Sequence, residues 1–339
     1  MHEVGRRALI TGVTGQGGSY LAEHLIGLGY EVHGLVRRTS AANLSRIEHL
    51  LAGSNGASPP LRLHHGDLSD SAGLVSVLSR VDPDEIYHLG AQSDVAVSFE
   101  LPVQTLDITG TGTMRLLEAI RESGIETRFC QACSSEMFGS SPPPQSELTP
   151  FAPRSPYGIA KLASYWAAVN YREAYGLQIA NGILFNHESP RRGAAFVTRK
   201  ISRGVARIRA GLGGRIPLGN LEARRDWGYA PDYVRALHLI ASAPESGDYV
   251  VATGEQHSVR EFLELACEFA GLDPERAYEL DPRFLRPTDV DSLCGDASRI
   301  RTLGWEPTLS FRELVRTMVE ADLAELERDP LAAEPDRVE

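Results

Sequence analysis

Eight residues near the start of the chain, Thr11-Gly12-Val13-Thr14-Gly15-Gln16-Gly17-Gly18, constrain its fold more than any other feature. They follow a short apolar run at 8–10 and lead into a helical pattern at 19–28, so a strand passes through glycines straight into a helix. The alternation continues. Strands are predicted at 31–36, 61–65, 85–89, 128–132 and 177–184, and helices at 71–79, 101–121 and 157–175. The helix at 101–121 sets Met114, Leu117 and Ile120 on one apolar face. Strands alternating with helices build parallel βαβ units, which predicts an α/β fold: a doubly wound parallel sheet of the Rossmann type with helices on both faces.

Past about residue 185 the rhythm changes. Arginine-rich loops at 190–193 and 224–228 flank a helix at 197–210; a strand follows at 249–252 and helices at 259–270 and 311–326. The organisation expected is a nucleotide-binding domain over 1–184, a smaller mixed α/β lobe over 185–328 with segments returning to the sheet, and a loose tail over 329–339. The 34 Lys and Arg against 45 Asp and Glu leave a net charge of −11. Such a surface repels phosphate backbones and anionic lipid, so neither nucleic acid nor a membrane is the expected partner, and any anionic ligand must meet a local cluster of cations. No run of 18 apolar residues occurs, the N-terminus enters a strand with no secretory apolar segment, and four cysteines make no disulfide framework; a cytoplasmic protein is expected.

Without side chains at Gly12, Gly15 and Gly18, the turn that also holds Thr14 and Gln16 lets a pyrophosphate meet free N–H groups at the positive end of a helix. A plain structural turn is the competing reading, and the position between the first strand and a helix weighs against it. A ribose with a free 2′-hydroxyl calls for an acid at the end of the second strand. This strand ends instead in Val36-Arg37-Arg38-Thr39-Ser40, whose guanidiniums and hydroxyls suit a 2′-phosphate, hence NADP over NAD. Asp67 and Leu68, after the third strand, are placed at the adenine edge; Leu89, Ala91 and Gln92, after the fourth, flank the pyrophosphate.

Tyr157 and Lys161, four apart on a helix, share a face. An ammonium beside a phenol lowers its pKa from about 10 and is placed to hold a nicotinamide ribose. The preceding strand ends in Ser134-Ser135-Glu136, adding a hydroxyl and a carboxylate to the same region. Cys130-Gln-Ala-Cys133 has the spacing of a redox or zinc pair, yet a strand sends those thiols to opposite faces, and His64 and His65 diverge in the same way; no metal site is expected.

These residues resemble the extended short-chain dehydrogenase/reductases and, within them, the GDP-mannose 4,6-dehydratase family. The resemblance runs from Ala8 to Leu323. It is carried by Arg154-Ser-Pro-Tyr157-Gly-Ile-Ala-Lys161, Gly182-Ile-Leu-Phe-Asn186-His187-Glu188-Ser-Pro-Arg-Arg192-Gly193, Phe196-Val-Thr-Arg-Lys200-Ile201 and Arg225-Asp-Trp-Gly228. It implies a hydro-lyase that uses NADP catalytically and removes water from GDP-D-mannose, without net redox change, to give GDP-4-dehydro-6-deoxy-D-mannose. Tyr157 and Ser134 would oxidise the C4 hydroxyl, and Glu136 would take the acidified C5 proton and help the C6 hydroxyl leave. An epimerase that swaps the C4 face has no need of that carboxylate.

By the same resemblance Asn186, Arg192, Lys200, Arg225, Arg286 and Asp289 hold the diphosphate and nucleoside. His187 and Glu188 read equally well as polar residues supporting the loop. Gly17 stands where the family carries an acid, Cys133 and Ser134 where Ser and Thr are common, and Asp289 where a Glu is usual. The family further implies a homo-oligomer, dimer or tetramer, with the 37–45 loop reaching a neighbouring cofactor site in tetramers; Arg37, Arg38, Ser40, Asn43 and Arg46 are kept there. Two alternatives stand beside this reading. One is a 4,6-dehydratase or 4-epimerase acting on another nucleotide hexose. The other is a non-catalytic NADP-binding module, against which Tyr157, Lys161 and Glu136 together argue.

Overall fold

The computed structural model of the chain describes residues 5–38, 43–52 and 59–328; Thr39, Ser40 and the 329–339 tail lie outside them. Six strands, β1 (Arg7–Thr11), β2 (Glu31–Val36), β3 (Leu61–His65), β4 (Glu85–His88), β5 (Arg128–Ser134) and β6 (Gln178–Leu184), build the sheet with a seventh, Asp248–Val251. All pair in parallel, in the order 248–251, β6, β5, β4, β1, β2, β3. Chain order reverses between β1 and β4, which opens a crevice at the carboxyl ends of those two strands.

The period of two sorts each strand between two layers. Ala8, Ile10, Tyr87, Cys130 and Ala180 face one side, where Leu21 and Leu25 of α1 (Gln16–Gly27) and Tyr233, Leu237 and Ile240 of the helix Ala230–Ser242 cover them. Leu9, Ile86, Phe129 and Ile179 face the other, under Leu78, Leu117, Ile120 and Ala168. A separate cluster unites Ile201, Val205, Phe262, Leu314 and Met318, from helices at Val197–Arg209, Val259–Ala270 and Phe311–Arg328, with Trp227 of the short strand Trp227–Tyr229.

The later segments are stapled to the sheet by buried carboxylates. Asp226, fully buried, accepts from Thr253 N and Oγ1, Gly254 N and Gly295 N at 2.7–3.2 Å. Asp232 accepts from Thr308 N and Oγ1 at 2.8 Å, and its backbone oxygen takes the Trp305 indole N–H at the same distance. Four hydrogen bonds satisfy Asp226, so its burial is tolerated, although burial still raises its pKa.

Two parts of the sequence reading need correction. The helix expected at 101–121 is three pieces, Pro102–Thr105, a π-helical turn Leu106–Thr111, and Gly112–Ser123, preceded by a short helix at Val95–Glu100. Within Gly112–Ser123, Leu116, Leu117 and Ile120 face the core, while Met114, about 120° around the same helix from Ile120, is 45% exposed. The helix Ala230–Ser242 is absent from the reading, though Pro231 in its first turn and the spacing of Tyr233, Leu237 and Ile240 mark it.

Candidate active site

The glycine turn lies at the switch point. Gly12 adopts φ +71°, and a Cβ there would sit 2.9 Å from Gly90 N, after β4. A Cβ at Gly18 would run into Gly12 O. Gly15 caps α1 with no side-chain acceptor, so the first N–H groups of the helix are not taken by a cap. An uncapped helix start behind a turn that tolerates no side chain is a cradle suited to an anion. The Gln16 side chain is turned elsewhere: its amide donates to His187 O at 2.9 Å and its oxygen accepts from Ser189 Oγ at 2.7 Å. Gln16 therefore ties the turn to the loop after β6, leaving its backbone on the anion side. Arg46 braces the same turn, donating to Thr14 O and Arg191 O.

Around this turn, Arg37 and Arg38 are exposed at the end of β2. Asp67 accepts from Ser69 N and Oγ at 2.9 and 2.7 Å; these bonds, with help from Arg37 and Arg115, hold its carboxyl below the usual range. Leu68 is buried behind it, and Leu89 and Ala91 are half-buried beside Gly90.

Four residues gather where β5 ends. Ser134 accepts from Glu136 N at 3.3 Å, opening a single 3-10 turn, Ser135–Met137, that presents Glu136. Across from it Ser155 caps the helix Pro156–Tyr175 by accepting from Gly158 N at 3.0 Å. A Cβ on Gly158 would lie 2.7 Å from Glu136 O, so that glycine lets the helix start press against the Glu136 turn. Glu136 and Tyr157 are each 8% exposed, and Lys161 4%. Lys161 Nζ donates to Ala132 O at 2.7 Å.

The expected lowering of the phenol by Lys161 is not what this geometry gives. Burial pushes the Tyr157 phenol up to about 12, and Glu136 adds to the rise; Ser134, hydrogen-bonded to it, and the Arg192 charge pull the other way. Lys161 is itself brought down to about 8 by burial, its ammonium turned to the Ala132 carbonyl.

The cations carried by resemblance fall into three places. Arg192 lies near Tyr157, its Nε 3.2 Å from Glu188 and its guanidinium 3.7 Å over the Phe196 ring. Glu188 is buried and also accepts from Thr198 Oγ1 at 2.5 Å, so it supports the loop and aims Arg192. His187 stacks on Tyr233 with centroids 4.9 Å apart and donates from Nδ1 to Phe185 O at 2.9 Å. Sequence reasoning left His187 open, and only the long-range Gln16 contact places it at the glycine turn. Asn186 is half-buried in a short strand paired with Trp227–Tyr229.

Farther into the second lobe, Lys200 Nζ rests 3.2 Å over the Phe284 ring, and burial takes its pKa down to about 8. Arg225, buried, donates to Val290 O at 2.7 Å and to Asp289 Oδ1 at 3.4 Å; Arg286 reaches the same oxygen at 3.6 Å. These three form one cluster, which Asn220 joins at 3.5 Å from Asp289 Oδ2.

Cys130 and Cys133 are buried, against Leu237 O and Asn181 Oδ1 respectively, both at 3.6 Å. Among the described residues no group of three His, Cys, Asp or Glu is placed to hold a metal, and no helix is long and apolar enough to cross a membrane.

A glycine turn at the switch point of a doubly wound sheet, with Ser134, Tyr157 and Lys161 beside it, is the architecture of an extended short-chain dehydrogenase/reductase. The UDP-glucose 4-epimerase of Thermus thermophilus, solved in complex with NAD, superposes with a TM-score of 0.79 at 28% identity, over 93% of this chain and 98% of its own. Closer relatives are dehydratases. GDP-mannose 4,6 dehydratase 1 of Arabidopsis thaliana is 53% identical over 333 residues, 96% of this chain and 92% of the plant protein. The GDP-mannose 4,6 dehydratase of Homo sapiens is 50% identical over 347 residues, 96% and 93% of the two chains. The sequence profile of the GDP-mannose 4,6 dehydratase family matches residues 9–318. The chain belongs to that family.

Proposed function

We propose that the protein is an NADP-dependent GDP-mannose 4,6-dehydratase, converting GDP-D-mannose to GDP-4-dehydro-6-deoxy-D-mannose and water. The observation that carries the reading is the carboxylate of Glu136, presented by the 3-10 turn after β5 against the start of the Tyr157 helix. Dehydration needs a base for C5 in addition to the one for the C4 hydroxyl, and these two elements supply one each.

The Gly12–Gly18 turn and the start of α1 would hold the cofactor pyrophosphate, Asp67 and Leu68 the adenosine, Arg37 and Arg38 a 2′-phosphate, and Lys161 the nicotinamide ribose. Bound in its oxidised form, the nicotinamide supplies a hydride acceptor for C4, a donor for C6, and a positive charge that favours the phenolate of Tyr157. Tyr157 takes the C4 hydroxyl proton, with Ser134 holding that oxygen in place. The C4 ketone acidifies the C5 hydrogen, which Glu136 removes; the protonated Glu136 then delivers its proton to the departing C6 hydroxyl as water forms. The proton held at Tyr157 balances the one required at C5 when the hydride returns, so the cycle closes with no net exchange with solvent. Arg192, Lys200, Arg225 and Arg286 supply cations for a diphosphate in a protein whose net charge is −11.

Replacing Glu136 by Gln removes the base and keeps the size. Water loss should fall at least about 100-fold, while slow reduction of NADP by the sugar persists as absorbance of the reduced nicotinamide. Unchanged water loss would sink the assignment.

We also infer a homo-oligomer. The helices Gly112–Ser123 and Pro156–Tyr175, together with the segment before them, leave Leu101, Val103, Leu106, Met114, Ile159 and Trp166 in solvent, Val103 at 80% and Trp166 at 56%. Thr113 Oγ1 and Ser164 Oγ lie 3.2 Å apart, so these helices lie side by side, and their joint apolar exposure suits a second copy of the chain. In a soluble enzyme of this class the expected compartment is the cytoplasm.

A further inference from the structure

Beneath the switch point lies a row of buried polar groups that the chemistry above does not use. His88 ends β4 at 1% exposure, with Nδ1 2.7 Å from Thr11 Oγ1 and Nε2 3.1 Å from Thr113 Oγ1. The hydrogens in this row can be assigned. Thr113 has a single hydroxyl hydrogen, and two acceptors other than the ring compete for it, the Thr109 carbonyl at 2.7 Å and Ser164 Oγ at 3.2 Å; given to either, it is spent. Thr113 Oγ1 can then only accept from His88, which puts the ring hydrogen on Nε2 and leaves Nδ1 as an acceptor. The Thr11 hydroxyl donates to that nitrogen and itself accepts from Gly90 N at 3.0 Å. A ring that accepts at one nitrogen and donates at the other is neutral.

The row continues. Thr109 belongs to the π turn, where the ladder of backbone bonds is interrupted, and its carbonyl takes a second hydroxyl from Ser164 at 2.8 Å. Ser164 lies on the helix Pro156–Tyr175 itself, three residues past Lys161, so the row reaches that helix through this one hydroxyl. An unbroken series of hydrogen bonds therefore runs from the glycine turn after β1, through His88 of β4 and the π turn, to the helix that carries Tyr157 and Lys161. Since the reaction proposed above returns every proton it takes, this row is not needed as a proton exit.

We propose that His88 is a positioning residue: it fixes the cofactor-binding turn at Thr11 and Gly90 against the helix of Tyr157 and Lys161. The inference rests on the dehydratase reading only for the kinetic half of its test. Three variants of the full chain suffice. His88→Phe keeps the ring and removes both hydrogen bonds, His88→Gln keeps an acceptor and a donor, and Thr113→Val breaks the next link.

Binding of NADP is read by tryptophan fluorescence, water loss from GDP-mannose by mass, and stability by thermal unfolding. In His88→Phe, NADP affinity should fall about tenfold and kcat about 10- to 100-fold, with KM for the sugar held within about twofold. His88→Gln should recover most of both. If His88→Phe fails to fold, Thr113→Val carries the test, with losses of about threefold to tenfold in the same two quantities.

A soluble His88→Phe or Thr113→Val protein with lowered thermal stability but unchanged NADP affinity and kcat would overturn the proposal, as would a Gln variant no better than Phe. If the unaltered protein binds NADP yet removes no water from GDP-mannose, the dehydratase reading fails. The fall in NADP affinity in His88→Phe then still decides the positioning role.

Discussion

Arg37 and Arg38 leave the end of β2 exposed, with Arg37 near enough to draw on the Asp67 carboxylate. A guanidinium that waits in water gains little until a phosphate arrives, so the pair should act on cofactor choice and hardly at all on folding. Replacing both by Ala is expected to cut the preference for NADP over NAD by about 100-fold, two charge-assisted hydrogen bonds of about 1.5 kcal/mol each. Titration of each cofactor against tryptophan fluorescence measures it; equal weakening of both cofactors would refute the assignment. At this scale the sequence was informative about placement among near neighbours, as with Tyr157 and Lys161, four apart and both buried on one helix. It failed where a role depends on distant ones. The partners of Gln16 lie more than 170 positions away, and the acidity of Tyr157 is set by burial that no local motif announces.

Among elements, the strands of the sheet were legible because each is a short apolar run whose alternate residues must enter two different layers. The π turn was not. Its register depends on hydroxyls from Thr113 and from Ser164, 55 residues beyond Thr109, which no helical period encodes. Met114 is exposed on Gly112–Ser123, as are Leu106 on the π turn and Ile159 and Trp166 on the helix beside it, the face assigned to a second copy. Placing two carboxylates on it with Ile159→Glu and Trp166→Glu should separate the oligomer by at least about 3 kcal/mol, from lost apolar burial alone. Light scattering coupled to size exclusion reads the mass: a chain of 36.9 kDa migrating alone is the expected product, and an undiminished oligomer would contradict the assigned face.

For the molecule as a whole, buried histidines predict where stability is lost. Burial, with the Lys161 charge adding to it, lowers His88 to about 3, and burial with Arg192 lowers His187 to about 4. The folded chain therefore keeps both neutral while the unfolded chain takes up protons below about 6.5. Stability from these groups is complete above that pH and drains away as pH falls toward 4. For His88 alone the loss is about 2 kcal/mol at pH 5 relative to pH 8. Urea unfolding at the two pH values should show a smaller difference for His88→Gln than for the unaltered protein; identical differences would count against it. The division of the chain into a sheet and a second apolar cluster could be sensed from the change of rhythm near residue 185. The staples at Asp226 and Asp232, which bind the late segments back to the sheet, could not, since each joins segments far apart in sequence.

The central claim is water loss from one nucleotide sugar, and it is tested most directly by mass. The purified protein, given catalytic NADP and GDP-mannose, dTDP-glucose, CDP-glucose or UDP-N-acetylglucosamine in separate reactions, should remove one water from GDP-mannose and from none of the others. Water lost from a different nucleotide sugar would keep the roles proposed for Tyr157 and Glu136 and contradict GDP-mannose as the substrate. No water lost from any of them, with NADP bound, would contradict the dehydratase account itself.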